Sequence, residues 1–313
     1  MEAIGAGLAA IGNTPLVRLQ KVVPEGAAEV WVKLEGGNPT GSYKDRMAVS
    51  VVKAAMDRGD ASPGDTVVEF TGGSTGTALA FVCGVLGLKF TAIFSDAFSK
   101  SKQQAMEAFG AEVLVENSVD GKITHELAER MKARAYALAD QPGHYYADQF
   151  GSPDVRKGYQ PMGREIAKAL DGDIDVFCAA VGTGGAMMGS LDGMREVGVA
   201  PKVVALEPSQ SPLLTTGKSG AHKVEGIAVF PDPPFLDRSQ VSEVRTVDQE
   251  RAFEMCRKLA RNEGVFGGGS TGLNVCAAIE IAMELGPGKR VVTFGCDNGA
   301  KYLGGPIYSP SVN

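Results

Sequence analysis

One lysine stands where the chain leaves a glycine- and proline-rich turn and enters a helical stretch. In Asn38-Pro39-Thr40-Gly41-Ser42-Tyr43-Lys44-Asp45-Arg46 the turn residues precede Lys44, and Met47 to Arg58 has helical periodicity. A lysine in the first turn of a helix feels the positive end of the helix dipole, which disfavours the ammonium form. A neutral amine is what Schiff-base chemistry with a carbonyl compound requires. Taken alone, a lysine at such a position is more often a solvated surface residue. Four glycine-rich turns supply the other chemistry: Thr71 to Gly76, Gly182 to Gly185, Gly267 to Gly272, and Gly295 to Gly299. Free backbone N–H groups at a helix start bind anions, and glycine lets a phosphate approach closely. For any one turn, a tight strand-to-helix connection explains the glycines as well; four in one chain favour a ligand site.

Two nucleotide motifs fail. A dinucleotide fingerprint starting at Gly182 needs glycine at 187, where the chain has Met187. Gly217-Lys218-Ser219 matches the end of a nucleotide P-loop, but that motif needs glycine at 212, which is Pro212, and a strand before it.

The elements around the turns follow one pattern. Thr66 to Phe70, Asp175 to Val181, Gly264 to Phe266 and Val291 to Phe294 are short apolar runs, each leading into one of the glycine turns. Apolar runs without alternation suit parallel strands covered on both faces. Helical spacing marks Ser101 to Phe109, Glu126 to Ala139, Asp248 to Glu263 and Asn274 to Leu285. Strands alternating with helices predict an α/β fold with mostly parallel sheets, whose ligands bind beyond the carboxyl ends of the strands. Trp31 with Val30 to Leu34 reads as a core strand, Met187 and Met188 as packing, Asp297 and Asn298 as a loop cap, and His144 as structural. Phe230-Pro231-Asp232-Pro233-Pro234 reads as a loop, and breaks at Gln141-Pro142-Gly143 and Gly151-Ser152-Pro153 place a domain edge near residue 150.

Composition narrows the class. The 313 residues are 44% hydrophobic and 22% charged, a globular balance. Net charge is −6 with no basic block, so nucleic acid and anionic membranes are not expected partners. Ala78 to Leu88, the longest apolar stretch, is too short to span a bilayer. Met1 to Gly5 lacks the basic start of a signal peptide. The five cysteines are odd in number and mostly inside apolar runs, which predicts buried free thiols in a reducing cytoplasm. With three histidines and no Cys-x-x-Cys pair, no metal site is expected.

Several segments together carry a resemblance. Gly12-Asn13-Thr14-Pro15-Leu16-Val17-Arg18-Leu19 is similar to the opening of the cysteine synthase (O-acetylserine sulfhydrylase) family, pyridoxal-phosphate enzymes of fold type II. Asn38 to Arg46 resembles its Schiff-base lysine segment, Thr71 to Gly76 its substrate-carboxylate loop, and Asp148-Gln149-Phe150 its second substrate contact. Gly182 to Gly185 resembles its phosphate loop, and Gly268 to Gly272 the loop whose serine faces the pyridine nitrogen. Order and spacing agree from about residue 11 to residue 303.

The resemblance implies two three-layer αβα domains with mostly parallel sheets, like the β subunit of tryptophan synthase. Residues 40–148 would form a smaller mobile domain with the carboxylate loop; residues 1–39 and 149–313 would form a larger one anchoring pyridoxal 5'-phosphate. Lys44 would be catalytic and form the internal aldimine. Gly182, Thr183, Gly184 and Gly185 would hold the phosphate, Ser270 would meet the pyridine nitrogen, and Ser74 would also lie against the cofactor. Thr71, Gly72, Gly73, Thr75 and Gln149 would bind the amino-acid carboxylate, without a cationic side chain.

The implied reaction is β-replacement on an O-activated L-serine such as O-acetylserine. It runs through an external aldimine and an aminoacrylate, with sulfide giving L-cysteine. Its alternatives are β-elimination of the cysteine desulfhydrase or serine/threonine dehydratase type, and cystathionine β-synthase-like replacement. A cytoplasmic homodimer is implied, with docking of a partner protein's C-terminal tail as a further partner. Ser74 stands where the family usually has Asn, Ala186 where it has Thr, and Gly72 where Ser is common; these departures bear on the leaving group.

Overall fold

The computed structural model describes residues 7–122, 124–227 and 232–309. The Met1 to Gly5 reading and the Phe230-Pro231 part of the expected loop lie outside them. Along the chain, β1 (Leu16–Arg18) and β2 (Glu29–Leu34) precede α1 (Lys44–Arg58). Then β3 (Thr66–Phe70), α2 (Ser74–Leu86), β4 (Lys89–Ser95), α3 (Lys100–Ala108), β5 (Glu112–Glu116), α4 (His125–Ala139) and β6 (His144–Tyr146) alternate. After them come α5 (Asp154–Ala169), β7 (Val176–Ala180), α6 (Gly185–Arg195), β8 (Lys202–Pro208) and the single turn α7 (Leu213–Thr216). The chain continues through β9 (Glu243–Val247), α8 (Gln249–Lys258), α9 (Gly269–Leu285) and β10 (Arg290–Gly295).

Two compact units result. One contains residues 7–11 and Lys44–Gly158; the other contains Gly12–Tyr43 and the described residues from Tyr159 onward. The first holds a four-stranded sheet in the order β5-β4-β3-β6, all parallel. In the second, six strands run β1-β2-β10-β7-β8-β9, parallel except for the β1–β2 pair at one edge. The chain is thus α/β with parallel-dominated sheets and flanking helices.

Burial explains why the strands lack alternation. In β4 every residue after Lys89 is buried, and in β7 Val176 to Ala179 are. Such strands are covered on both faces. Helices α2 and α9 are apolar all round for the same reason: Thr75 to Cys83 and Gly269 to Ile279 are continuously buried. Val68, Ile93, Leu127 and Met131 form a core between β3, β4 and α4, while Val32, Cys178, Val204, Leu273 and Val291 belong to the core of the six-stranded unit. All five cysteines are free and buried. No helix of the described residues is long and apolar enough to cross a membrane.

One expected strand is absent. Gly264 to Phe266 leave a π-helical turn, Leu259–Glu263, through Gly264 in the left-handed conformation at φ +68, and no ladder forms there. The apolar residues of that run serve packing instead, with Val265 buried. Trp31 is half-buried, its indole N–H donating to Glu29 at 2.9 Å. Glu207, fully inside, accepts from the Leu214 and Thr215 N–H groups and so caps α7.

The carboxyl ends of β7 and β10 are tied by Asn274, which has no solvent exposure. Its side-chain oxygen accepts from the Ala180 N–H at 2.7 Å and its amide donates to the Phe294 carbonyl at 3.0 Å. Asn274→Ala leaves both backbone groups without that partner, and each orphaned buried group costs about 1–3 kcal/mol. The expected loss is about 2–4 kcal/mol, read as a lower urea midpoint at unchanged slope; an unaltered midpoint would show that the strand ends hold without this amide.

Candidate active site

Lys44 is the first residue of α1 and is half-buried, with Asp45 and Arg46 buried behind it. The residue before it, Tyr43, donates its N–H to the Cys296 carbonyl at 3.1 Å. The segment that delivers Lys44 is held by buried polar side chains. Glu35, with no exposure, accepts from the Thr14 hydroxyl at 2.6 Å and the Asn38 amide at 2.8 Å. Asn38 also accepts from the Gly12 N–H at 2.9 Å. Lys33, buried in β2, pairs with Glu165 at 2.7 Å and donates to the Thr14 carbonyl at 2.6 Å. Except for Glu35 with Asn38, these partners lie far apart in sequence, so the loop's shape is largely a tertiary product.

The turn between β3 and α2 is built from its own residues. The Thr71 hydroxyl accepts from the N–H groups of Gly73 at 3.0 Å and Gly76 at 3.1 Å, so Thr71 shapes the turn. Gly73 sits at φ +137, which a side chain rarely tolerates, and its open face lies under the stem of Lys102. Ser74 begins α2 and Gly72 is exposed. The Thr75 hydroxyl donates to Gln149 Oε1 at 2.7 Å, while Gln149 Nε2 donates to the Phe70 carbonyl at 3.1 Å. Thus the structure brings Thr71 to Thr75 and Gln149 together in one unit.

In the six-stranded unit, Gly182 to Gly185 connect β7 to α6. Thr183 accepts through its carbonyl from the Phe235 N–H at 2.9 Å, and its hydroxyl from the Gly185 N–H at 3.2 Å. Gly184 is the helix N-cap at φ +85 and has no side chain to cap the helix, so the Thr183 hydroxyl meets only the Gly185 N–H of the first turn. Ser270 lies buried in the first turn of α9, which also begins without a side-chain cap. The neighbouring turn after β10 is bonded to it: Thr271 accepts from the Cys296 N–H at 3.1 Å, and Asp297 from the Gly268 N–H at 3.2 Å. Burial pushes the Asp297 carboxyl above the usual range, and Tyr302 donates to it. Asn298 caps the short helix Gly299–Tyr302 through the Ala300 N–H. Met187 and Met188 are buried.

By contrast, the scaffold helices α4 and α8 are capped by Thr124 and Asp248. The first-turn N–H groups of an uncapped helix lack intrahelical partners, and they carry the positive end of the dipole. The α6 terminus, preceded by a side-chain-free Gly184-Gly185, fits a phosphate dianion; α2 fits a carboxylate. Gly72-Gly73-Ser74-Thr75-Gly76 and Gly268-Gly269-Ser270-Thr271-Gly272 also spell the serine-hydrolase elbow, Gly-x-Ser-x-Gly. Neither is one. Both serines lie inside helices without the strained backbone of an elbow, and among the described residues neither is hydrogen-bonded to a histidine.

Several supporting residues escape a motif search, namely Lys33, Glu35, Glu69 and Asn274. For Lys33 and Glu69 a signal did exist: each is a charge inside an apolar run, Val30-Trp31-Val32-Lys33-Leu34 and Val67-Val68-Glu69-Phe70.

Parallel sheets with helix N-termini open to anions, and a lysine heading a helix, define an α/β enzyme of the kind that handles an anionic cofactor and an anionic substrate. The family model for a pyridoxal-phosphate dependent enzyme matches residues 8–297. A cysteine synthase of Staphylococcus aureus is 37% identical over 304 residues, covering 96% of this chain and 95% of the relative. Among solved structures, O-ureido-L-serine synthase superposes with a TM-score of 0.91 at 34% identity, covering 97% of this chain and 95% of that one. A cysteine synthase of Entamoeba histolytica gives 0.89 at 30% identity, covering 98% and 91%. The chain belongs to the pyridoxal-phosphate dependent enzymes, in the cysteine synthase family. It is a fold type II enzyme that depends on pyridoxal phosphate.

Proposed function

We infer that the chain carries out O-acetylserine sulfhydrylase-type β-replacement: O-acetyl-L-serine and sulfide give L-cysteine and acetate. The observation that carries this is the match to cysteine synthases along nearly the whole chain, in a span that includes Lys44, the glycine turns and Ser270. Bound pyridoxal phosphate supplies an aldehyde that condenses with amines and a ring that draws electrons from the substrate Cα.

The chain's own residues do the rest. Lys44 would hold the coenzyme through its amine, and that amine would take the substrate Cα proton and later return it. Gly182, Thr183, Gly184 and Gly185 hold the phosphate through main-chain N–H groups and the α6 dipole. Ser270 offers a neutral hydroxyl to the pyridine nitrogen. A neutral partner would not keep that nitrogen protonated, which would favour departure of a β-leaving group. Thr71, Gly72, Gly73, Thr75 and Gln149 take the substrate carboxylate, and Ser74 lies against the cofactor. Residues 40–148 act as the mobile carboxylate-binding domain, and the remainder anchors the coenzyme. The enzyme works in the cytoplasm as a homodimer, and the amide-lined α2 turn offers a seat for the C-terminal carboxylate of a partner protein's tail.

A panel of β-substituted L-alanines, with and without sulfide, tests the reading. Cysteine should form fastest from O-acetyl-L-serine with sulfide. Pyruvate released from the amino acid alone, undiminished by sulfide, would replace this reading with β-elimination.

A further inference from the structure

We propose that Glu69 is a positioning residue for the amino-acid carboxylate, acting through Gln149, and that its neutral form is the one that lets the Thr71–Gly76 turn hold an anion. The proposal rests on the carboxylate-binding reading of that turn given above.

The geometry is a single chain of hydrogen bonds. Glu69 lies in β3 with no solvent exposure. Its Oε2 accepts from the Gln149 N–H at 2.9 Å and its Oε1 from the Phe70 N–H at 3.0 Å. Gln149 then bridges to Phe70 and to the Thr75 hydroxyl through its side chain. Glu69 therefore sets the main chain of the residue whose side chain meets the turn. The connection spans 80 residues, and Asp148, just before Gln149, takes a left-handed backbone at φ +53.

The surroundings disfavour a charge. On β4 the register partner of Glu69 is Ala92. From β6 comes the Tyr146 hydroxyl, directed at Glu69, and after it the Asp148 carboxylate. From α4, Tyr136 packs edge-on against the Tyr146 ring at 4.9 Å, with Lys132 over Tyr136. From α3, the Lys102 stem covers Gly73. Burial, with Asp148 adding to it, pushes the Glu69 carboxyl up to about 8, against the Gln149 and Phe70 N–H donors and the Tyr146 hydroxyl, all of which favour its anion. The proton is thus held at neutral pH. Ionisation above that point puts a second negative charge beneath a turn that binds a carboxylate, and like charges repel. By reciprocity, a bound carboxylate raises the pH at which Glu69 titrates.

The test compares the wild-type and Glu69→Gln holoenzymes with O-acetyl-L-serine at fixed sulfide, from about pH 6.5 to 9.5. Above about pH 8, the wild-type KM should climb over that of the variant by up to about tenfold per pH unit, while the kcat profiles stay parallel. Superimposable KM profiles overturn the proposal. A measurement on the wild type alone guards against a variant that fails to fold. With carbon-13 in the glutamate carboxyls, one resonance should titrate near pH 8 and move upward on adding L-alanine; its absence also overturns the proposal. Thr75→Val and Gln149→Ala separate the two levels. If neither raises KM, the carboxylate reading falls and takes this inference with it. If they raise KM while Glu69→Gln leaves the pH profile alone, only the role of Glu69 is refuted.

Discussion

Lys44→Ala protein folds, binds pyridoxal phosphate non-covalently, and turns over at least about a thousandfold more slowly than wild type. The size of the effect follows from two roles falling on one amine, holding the coenzyme and moving the Cα proton. No neighbour inherits both, because the residues after Lys44, Asp45 and Arg46, are a carboxylate and a guanidinium that stays protonated. Folding survives because Lys44 is only half-buried and heads its helix, while Met47, Val51 and Ala55 supply the buried face of α1. Borohydride reduction of wild type followed by peptide mass mapping checks the same residue directly. An adduct on a different lysine would end the assignment.

The second large effect is expected at Gly184. An alanine there must adopt φ +85, and its Cβ would lie 2.6 Å from the Leu236 nitrogen. The backbone strain alone costs about 1–2 kcal/mol, and the obstacle is main chain, which cannot rotate away. The turn has to shift, carrying with it the first-turn N–H groups of α6. Those donors bind an anion well only when they converge on it. Coenzyme affinity of Gly184→Ala should fall by about a hundredfold or more, since a few kcal/mol of lost phosphate contact is a factor of that order. Titration of the apoprotein with pyridoxal phosphate, followed by absorbance, measures it. An affinity within a fewfold of wild type would mean that the phosphate is held elsewhere.

Residues differ in how far their roles could be read from the chain. Lys44 is legible because a helix start after a Gly/Pro turn is local. The turns at Thr71 and Gly182 are legible because their glycines interrupt apolar runs at strand ends. Gly264 to Phe266 misleads for a physical reason: two apolar residues between glycines look alike whether they follow a helix or form a strand. Thr71 and Thr75 show a finer limit. Both are named by the carboxylate-loop resemblance, yet Thr71 is turned into its own loop while Thr75 reaches Gln149. Which hydroxyl goes where depends on the turn's dihedrals, and those depend on what covers Gly73.

The linear chain on its own determined the alternation of strand and helix, the glycine turns at strand ends and the lysine that opens α1, since each follows from spacing and backbone permissiveness over a few residues. Tertiary structure alone decided that Glu69 lies under Gln149, that Lys33 finds Glu165, and that Asn274 ties β7 to β10. Each of those pairings joins segments distant in sequence, and the burial that gives them their force exists only once the sheets are assembled.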